Sequence, residues 1–212
     1  MPRIDDYIQA RELGIKALAE KDPGSIANYA GALIREDGKG ERYLTIHFIG
    51  REILITWPDM EFSYKDTTDD IPIQQQVLML HYLQGSLDSN SARLTGEWIS
   101  FQDIPDGRFY MDAFIRRAKE PLIKAFGHKA KQMTEIASET LHAIPSDYGD
   151  YSVIVKAFPL VPMMLVLWEG DEEFPPEGNI LFDKNISEIL SAEDIAWLAG
   201  MVVYPLAGKS KS

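Results

Sequence analysis

The residues best suited to chemistry crowd into one turn. Glu169-Gly170-Asp171-Glu172-Glu173 puts several carboxylates side by side, with Glu177 and Asp183 close behind. Oxygen-rich turns of this kind suit Mg²⁺ or Ca²⁺, which take carboxylate and carbonyl ligands. The spacing does not follow the alternating twelve-residue EF-hand loop. Paired carboxylates with split pKa values can also do general acid–base work. The third reading is a solvated turn whose acids cap helices or pair with Lys and Arg. A ligand site, if the chain has one, is expected to include Glu169, Asp171, Glu172, Glu173 and Asp183, with Trp168 leading into the turn.

The chain has four histidines, His47, His81, His128 and His142. None is spaced like a helical zinc pair. His81 lies in the most apolar helical stretch, so the sequence places it in the interior, where an imidazole needs partners for both nitrogens. It is either a satisfied core histidine or a ligand for a metal or cofactor, although no DxHxxG corrinoid signature accompanies it. Trp98, Ser100, Phe101, Asp103 and Tyr110 form an aromatic and polar cluster at a turn, suited to a pocket wall or to the end of a strand. Ser100 has no GxSxG context, and neither GxxxxGK[ST] nor GxGxxG occurs.

The elements that must position these groups follow from hydrophobic patterning. Residues 153–157 and 162–168 are apolar on both faces and read as central strands of a covered sheet. Pro159 and Pro162 remove backbone donors and argue against a strict hairpin between them. An unpaired carboxylate is costly to bury, so the chain must surface at the acidic turn. Residues 179–182 read as a further strand. Asp183 is placed to cap a short helix over 186–190. Ser191-Ala192-Glu193-Asp194 resembles a capping box, with Leu190 and Ile195 at the staple positions, and starts a helix reaching about Met201.

Upstream, residues 5–20 and 25–33 read as helices. Residues 43–48 and 52–56 form a hairpin around Ile49-Gly50. A third strand is expected at 61–64. Residues 73–83 form a buried helix to be packed on the main sheet. Residues 85–91 read as polar loop and 94–101 as extended. Helices follow at 109–126, kinked or restarted by Pro121, and at 130–141. Strands and helices mix without βαβ alternation. The fold class is therefore α+β, a mixed or antiparallel central sheet with helices packed over it. One domain over 1–208 is expected, with 209–212 a disordered tail.

Composition narrows the function classes. A formal net charge of −12 argues against non-specific binding to nucleic acid, and no basic stretch stands out. With no cysteine, the chain holds no disulfide, zinc-thiolate site or cysteine-ligated Fe–S cluster. No signal-peptide pattern and no run of the ~18 apolar residues needed for a membrane span is present. The expectation is a soluble, cytoplasmic protein.

Several stretches together resemble domain of unknown function family 3786 of anaerobic prokaryotes. They are 44–55 with its central Gly50, 76–83 (QVLMLHYL), 96–104 (GEWISFQDI) with Tyr110 nearby, and 158–183, within which LVLWEGDEEF is most specific. Longer members of that family carry a four-cysteine Fe–S module similar to one in corrinoid iron–sulfur proteins. This chain resembles the stand-alone form. The resemblance supplies no catalytic residues. It implies a neighbourhood of corrinoid or Fe–S one-carbon chemistry. Three readings remain open: an accessory or ligand-binding module, an enzyme using the acidic-turn carboxylates, with or without a divalent cation, and a protein-interaction scaffold. The partner is an unidentified small molecule or protein, and the cofactor is unknown.

Overall fold

A computed structural model describes residues 3–38 and 40–210. The fold is α+β, with two antiparallel sheets in the orders β1-β2-β3-β4 and β5-β9-β8-β7-β6. The chain divides into two compact units. The first holds residues 1–93, 158–160 and 188–190, and the second the remainder.

In the first unit, α1 (Ile4–Ala19) and α2 (Pro23–Ala30) precede the small sheet. Asp22 caps α2 by accepting the Ser25 N–H at 2.7 Å, with Pro23 at the first helical position. Gly31 closes α2 at φ +63°, a left-handed conformation natural to glycine. The sheet follows as β1 (Leu33–Glu36), β2 (Arg42–Phe48), β3 (Arg51–Trp57) and β4 (Phe62–Tyr64). β2 and β3 form the expected hairpin, with Ile49 and Gly50 both at positive φ in the turn. Alternation buries Leu44, Ile46, Ile53 and Ile55 on one face. β1 lies at the sheet edge and every residue in it is exposed. The sequence reading had extended the preceding helix to residue 33 and missed this strand.

Helix α3 (Ile73–Ser89) runs one and a half turns past the expected end, through Gly85. A Cβ on Gly85 would stand 1.9 Å from the Ile189 carbonyl oxygen, so this glycine serves close approach and not a helix stop. Within its unit α3 packs on α1 and α2. Gly14 of α1 brings the two helices together at Leu80. Phe158 stacks on Tyr82, with ring centroids 4.1 Å apart. The Tyr82 hydroxyl donates to the Ala30 carbonyl at 2.7 Å and accepts the Leu160 N–H at 3.2 Å. Burial pushes its pKa up, so it stays a neutral donor.

The second unit begins with β5 (Trp98–Ser100), much shorter than the extended segment expected over 94–101, and a 3₁₀ turn at Phe101–Asp103. Helix α4 (Gly107–Phe114) passes into a π-helical stretch (Ile115–Lys119) and then α5 (Glu120–Phe126). Pro121 has no N–H to offer the Arg117 carbonyl, and the Glu120 N–H reaches back five residues to Ile115. The expected disturbance at Pro121 thus takes the form of a π turn just before it. Gly200 faces this site, since a Cβ there would lie 3.2 Å from the Arg117 carbonyl oxygen.

Helix α6 (Ala130–Leu141) leads to β6 (Ile144–Ser146), an edge strand the sequence reading missed. Then come β7 (Tyr151–Phe158), β8 (Val161–Trp168) and β9 (Glu177–Asp183). β7 and β8 are neighbours across a two-residue connection, so the prolines do not prevent the hairpin. Pro159 lies between the strands and Pro162 is second in β8, near strand ends, where a missing donor is tolerated. β8 is the central strand, and Leu165, Val166 and Leu167 are each 0% exposed. Phe101 and Phe114 stack at 4.3 Å, with Phe182 of β9 edge-on to Phe101.

After the short α7 (Ile186–Ile189), α8 (Ala192–Lys209) starts at Ser191, whose hydroxyl accepts the Asp194 N–H at 3.2 Å. It continues past the expected end at Met201, through Pro205, to Lys209. Of the segment expected as a disordered tail, Lys209 closes this helix and Ser210 is buried; residues 211–212 lie outside the described residues. Among the described residues, no helix is long and apolar enough to cross a membrane.

Two substitutions test this packing. Leu165→Ala should cost ~2–5 kcal/mol in a denaturant titration, because it opens a cavity in the central strand. Ser191→Ala should cost ~0.5–2 kcal/mol by removing the α8 cap. An unchanged midpoint in either variant contradicts the corresponding assignment.

Candidate functional site

The acidic turn follows β8 and is solvated. Glu169, Asp171, Glu172 and Glu173 are all exposed. Asp171 organises the turn by accepting the N–H groups of Glu173 and Phe174, each at 2.8 Å. Those backbone donors, Phe174 first, hold its carboxyl below the usual Asp range. The Glu169 N–H donates to Asp150 at 2.9 Å. A Cβ on Gly170 would lie 2.5 Å from the Pro176 nitrogen, so the turn doubles back tightly on itself. Trp168, half-buried, meets Tyr148 edge-on at 6.4 Å and belongs to the apolar cover of the sheet, beside Val166.

Asp183 is not part of this turn. Trp168 pairs with Glu177 at the turn end of β9, and Asp183 ends the same strand six residues on. At a rise of ~3.3 Å per residue, the two ends stand roughly 20 Å apart. The expected return of Asp183 toward the turn is therefore a mistake of register. An antiparallel strand leaving the turn carries its far end away from it.

The Asp183 carboxylate has a different task. It is only 2% exposed and accepts the N–H groups of Thr95 (3.0 Å), Gly96 (2.8 Å) and Asn185 (3.1 Å), with the Thr95 hydroxyl at 2.7 Å. Burial raises its pKa, but these donors outweigh burial and leave it below the ordinary value. The Asn185 bond retains part of the expected role at the start of the 186–189 helix. The larger effect is a clasp that ties the segment before β5 to the end of β9. Asp183 is withdrawn as a ligand residue.

His81 is corrected as well. It is exposed, alone among residues 77–83, and lies in the first unit. The run is apolar on nearly every side, and one outward position was enough to take the histidine. Among the described residues, no grouping of three or more His, Cys, Asp or Glu side chains is placed to hold a metal ion. The Trp98–Tyr110 cluster is largely structural. The Asp103 carboxylate accepts from the Ser100 N–H and hydroxyl at 3.0 and 2.6 Å, closing the 3₁₀ turn. The Tyr110 hydroxyl faces Glu193 at 3.4 Å, and the Glu193 charge raises its pKa. The cleft beside Ser100 and Phe101 is about 110 Å³, too small for most ligands.

A roomier cleft lies elsewhere in the second unit. Between the π stretch with α5 and the C-terminal half of α8 is a cleft of about 670 Å³. Arg116, Glu120, Lys124 and Lys129 line one side, Tyr204 and Ala207 the other. The Lys129 ammonium donates to the Ser210 carbonyl at 2.8 Å and ties the end of α8 to the wall. Tyr204 is 56% exposed. The sequence reading missed these residues, although a signal was present. Residues 116–131 hold Arg116, Arg117, Lys119, Lys124, Lys129 and Lys131 against Glu120 alone, in a chain of net charge −12.

Fold and site together define an α+β protein with a solvated acidic turn, a buried carboxylate clasp and a separate basic cleft. The chain belongs to the family described as Domain of unknown function (DUF3786), whose model matches residues 22–204. Neither the comparison with characterised proteins nor that with solved structures finds a match.

Asp183→Asn replaces an anionic acceptor with an amide whose NH₂ faces N–H donors. It should cost about 1.5–3 kcal/mol at neutral pH. Because the folded pKa of Asp183 is depressed, its contribution is full above the unfolded carboxylate value of ~3.9 and is lost as pH falls through the folded value. Urea midpoints of the wild type and the variant should therefore converge in acid. A constant gap across that range contradicts the clasp.

Proposed function

We propose that the chain is an accessory module that binds a small molecule in the cleft between α5 and α8, working in the cytoplasm beside corrinoid or Fe–S one-carbon chemistry. The cleft itself carries the reading. Its volume of about 670 Å³ falls within the ~300–1,000 Å³ usual for ligand sites. Its walls are helices of one unit, which hold a lining in place without the entropy loss of ordering a loop. The one-carbon neighbourhood rests on the family resemblance alone. The cleft is preferred to the acidic turn as the site because the turn carboxylates are solvated and Asp183 is committed to the clasp.

Native mass spectrometry of anaerobically purified protein tests the proposal. One small-molecule adduct is expected above the 23.9 kDa chain, removed by Ala207→Trp, which fills the cleft. A bare chain, both as purified and after incubation with a small-molecule extract, contradicts it. So does an adduct indifferent to Ala207→Trp.

A further inference from the structure

We infer that the ligand of this cleft is a small organic anion with a flat ring, its anionic oxygens gripped by Arg116 and Lys124 and its ring laid on Tyr204. The inference rests on the cleft being the ligand site and names the ligand's chemical class.

The helix phase supports the grip. In a regular α-helix, residues eight apart differ by about 80° around the axis, because each residue turns about 100°. A π turn inserts one extra residue into the spiral. Arg116 is the second residue of the wide turn Ile115–Lys119 and Lys124 lies beyond it, so most of the extra residue falls between them and their eight-residue spacing spans about the arc of seven. That brings the two cations within roughly 20° of one stripe, on the wall of the cleft. Without the π turn the same sequence would splay them.

Both cations are available. Among the described residues, neither Arg116 nor Lys124 lies within 4.0 Å of a carboxylate. Arg116 uses only its Nε, which donates to the Asp112 carbonyl at 3.2 Å. This bond holds the guanidinium in place and leaves its terminal nitrogens for the planar, two-pronged contact that carboxylates and phosphates accept. Lys129 is engaged with the Ser210 carbonyl and steadies the end of the cleft. Glu120 lies between the two cations in sequence and opposes an anion, which gives the site a charge of known sign to remove. Across the cleft, Tyr204 is a large aromatic left more than half exposed, and Ala207 and Gly208 leave room beside it. A Cβ on Gly208 would meet nothing within 4 Å.

Calorimetry with defined probes tests the inference: adenosine monophosphate, benzoate, inorganic pyrophosphate, and adenosine as the uncharged ring. Adenosine monophosphate or benzoate should bind at least tenfold more tightly than adenosine, and the better of the two distinguishes a phosphate from a carboxylate ligand. Arg116→Ala and Lys124→Ala should each weaken that probe roughly tenfold, with unchanged melting temperature because both side chains are exposed. Glu120→Gln should tighten it, and added salt should weaken it. Tyr204→Ala should weaken the ring-bearing probe and leave pyrophosphate unaffected. Anions binding no better than adenosine, or indifferent to Arg116→Ala and Lys124→Ala, overturn the inference. If the mass-spectrometric adduct persists and responds to Ala207→Trp while the anions fail, only the ligand class is wrong. A bare chain together with failed anions removes the cleft as a site.

Discussion

Strand β8 has no face it can show to water. Leu165 and Leu167 share one side of the sheet with Ile180 opposite Leu165, and Met164 and Val166 share the other with Leu181 opposite Met164. β7 and β9 flank it within the sheet, and its two sides are covered by α5 and by the 147–150 loop. Two glycines set how closely the covers approach. A Cβ on Gly178 of β9 would lie 2.9 Å from Ile123 of α5, so this glycine lets the helix settle onto the sheet. On the other side, a Cβ on Gly149 would stand 2.7 Å from Val166, and its φ of +68° suits the turn that folds the 147–150 loop over that residue. Burying these strands and the helical layer together offsets the entropy of ordering the unit.

Charge is distributed around that constraint. The most acidic stretch is placed where β8 must leave the sheet and meet solvent. The one buried carboxylate described above has N–H donors on both oxygens and a hydroxyl donor on one, consistent with the high cost of burying an unpaired charge. Six basic residues between 116 and 131 gather on and beside the helices that line the cleft. A chain strongly acidic overall thus carries a local field of opposite sign, which total charge does not reveal.

Much of the architecture was legible in the sequence, because apolar patterning reports burial directly. The hairpin at Ile49-Gly50, the central strands, the Ser191 cap and the α+β class all follow from periodicity and turn chemistry. The short edge strands β1 and β6 did not, since an edge strand needs little apolar surface and leaves a weak pattern. The reading ended α3 at residue 83, with 85–91 as polar loop, and α8 near Met201, short of where both helices stop. Gly85 is required by a close carbonyl, and Pro205 lies inside a helix whose buried face continues through Leu206. The site was misread for a different reason. Carboxylates close in sequence were taken as close in space, but a strand of seven residues intervenes. The cleft is formed by helices about eighty residues apart in the chain, and local spacing does not encode such a juxtaposition.

The edge strand β1 carries a further consequence for colloidal behaviour. Leu33 and Ile34 are exposed on a strand with one unpaired side, the arrangement that recruits foreign strands and seeds aggregates. Here the strand is only four residues long and its second half is Arg35-Glu36. A strand docking against it would gain few backbone hydrogen bonds and would have to accommodate a charge of each sign. Brevity and charge together act as a gatekeeper, leaving the small sheet open at one side without inviting polymerisation.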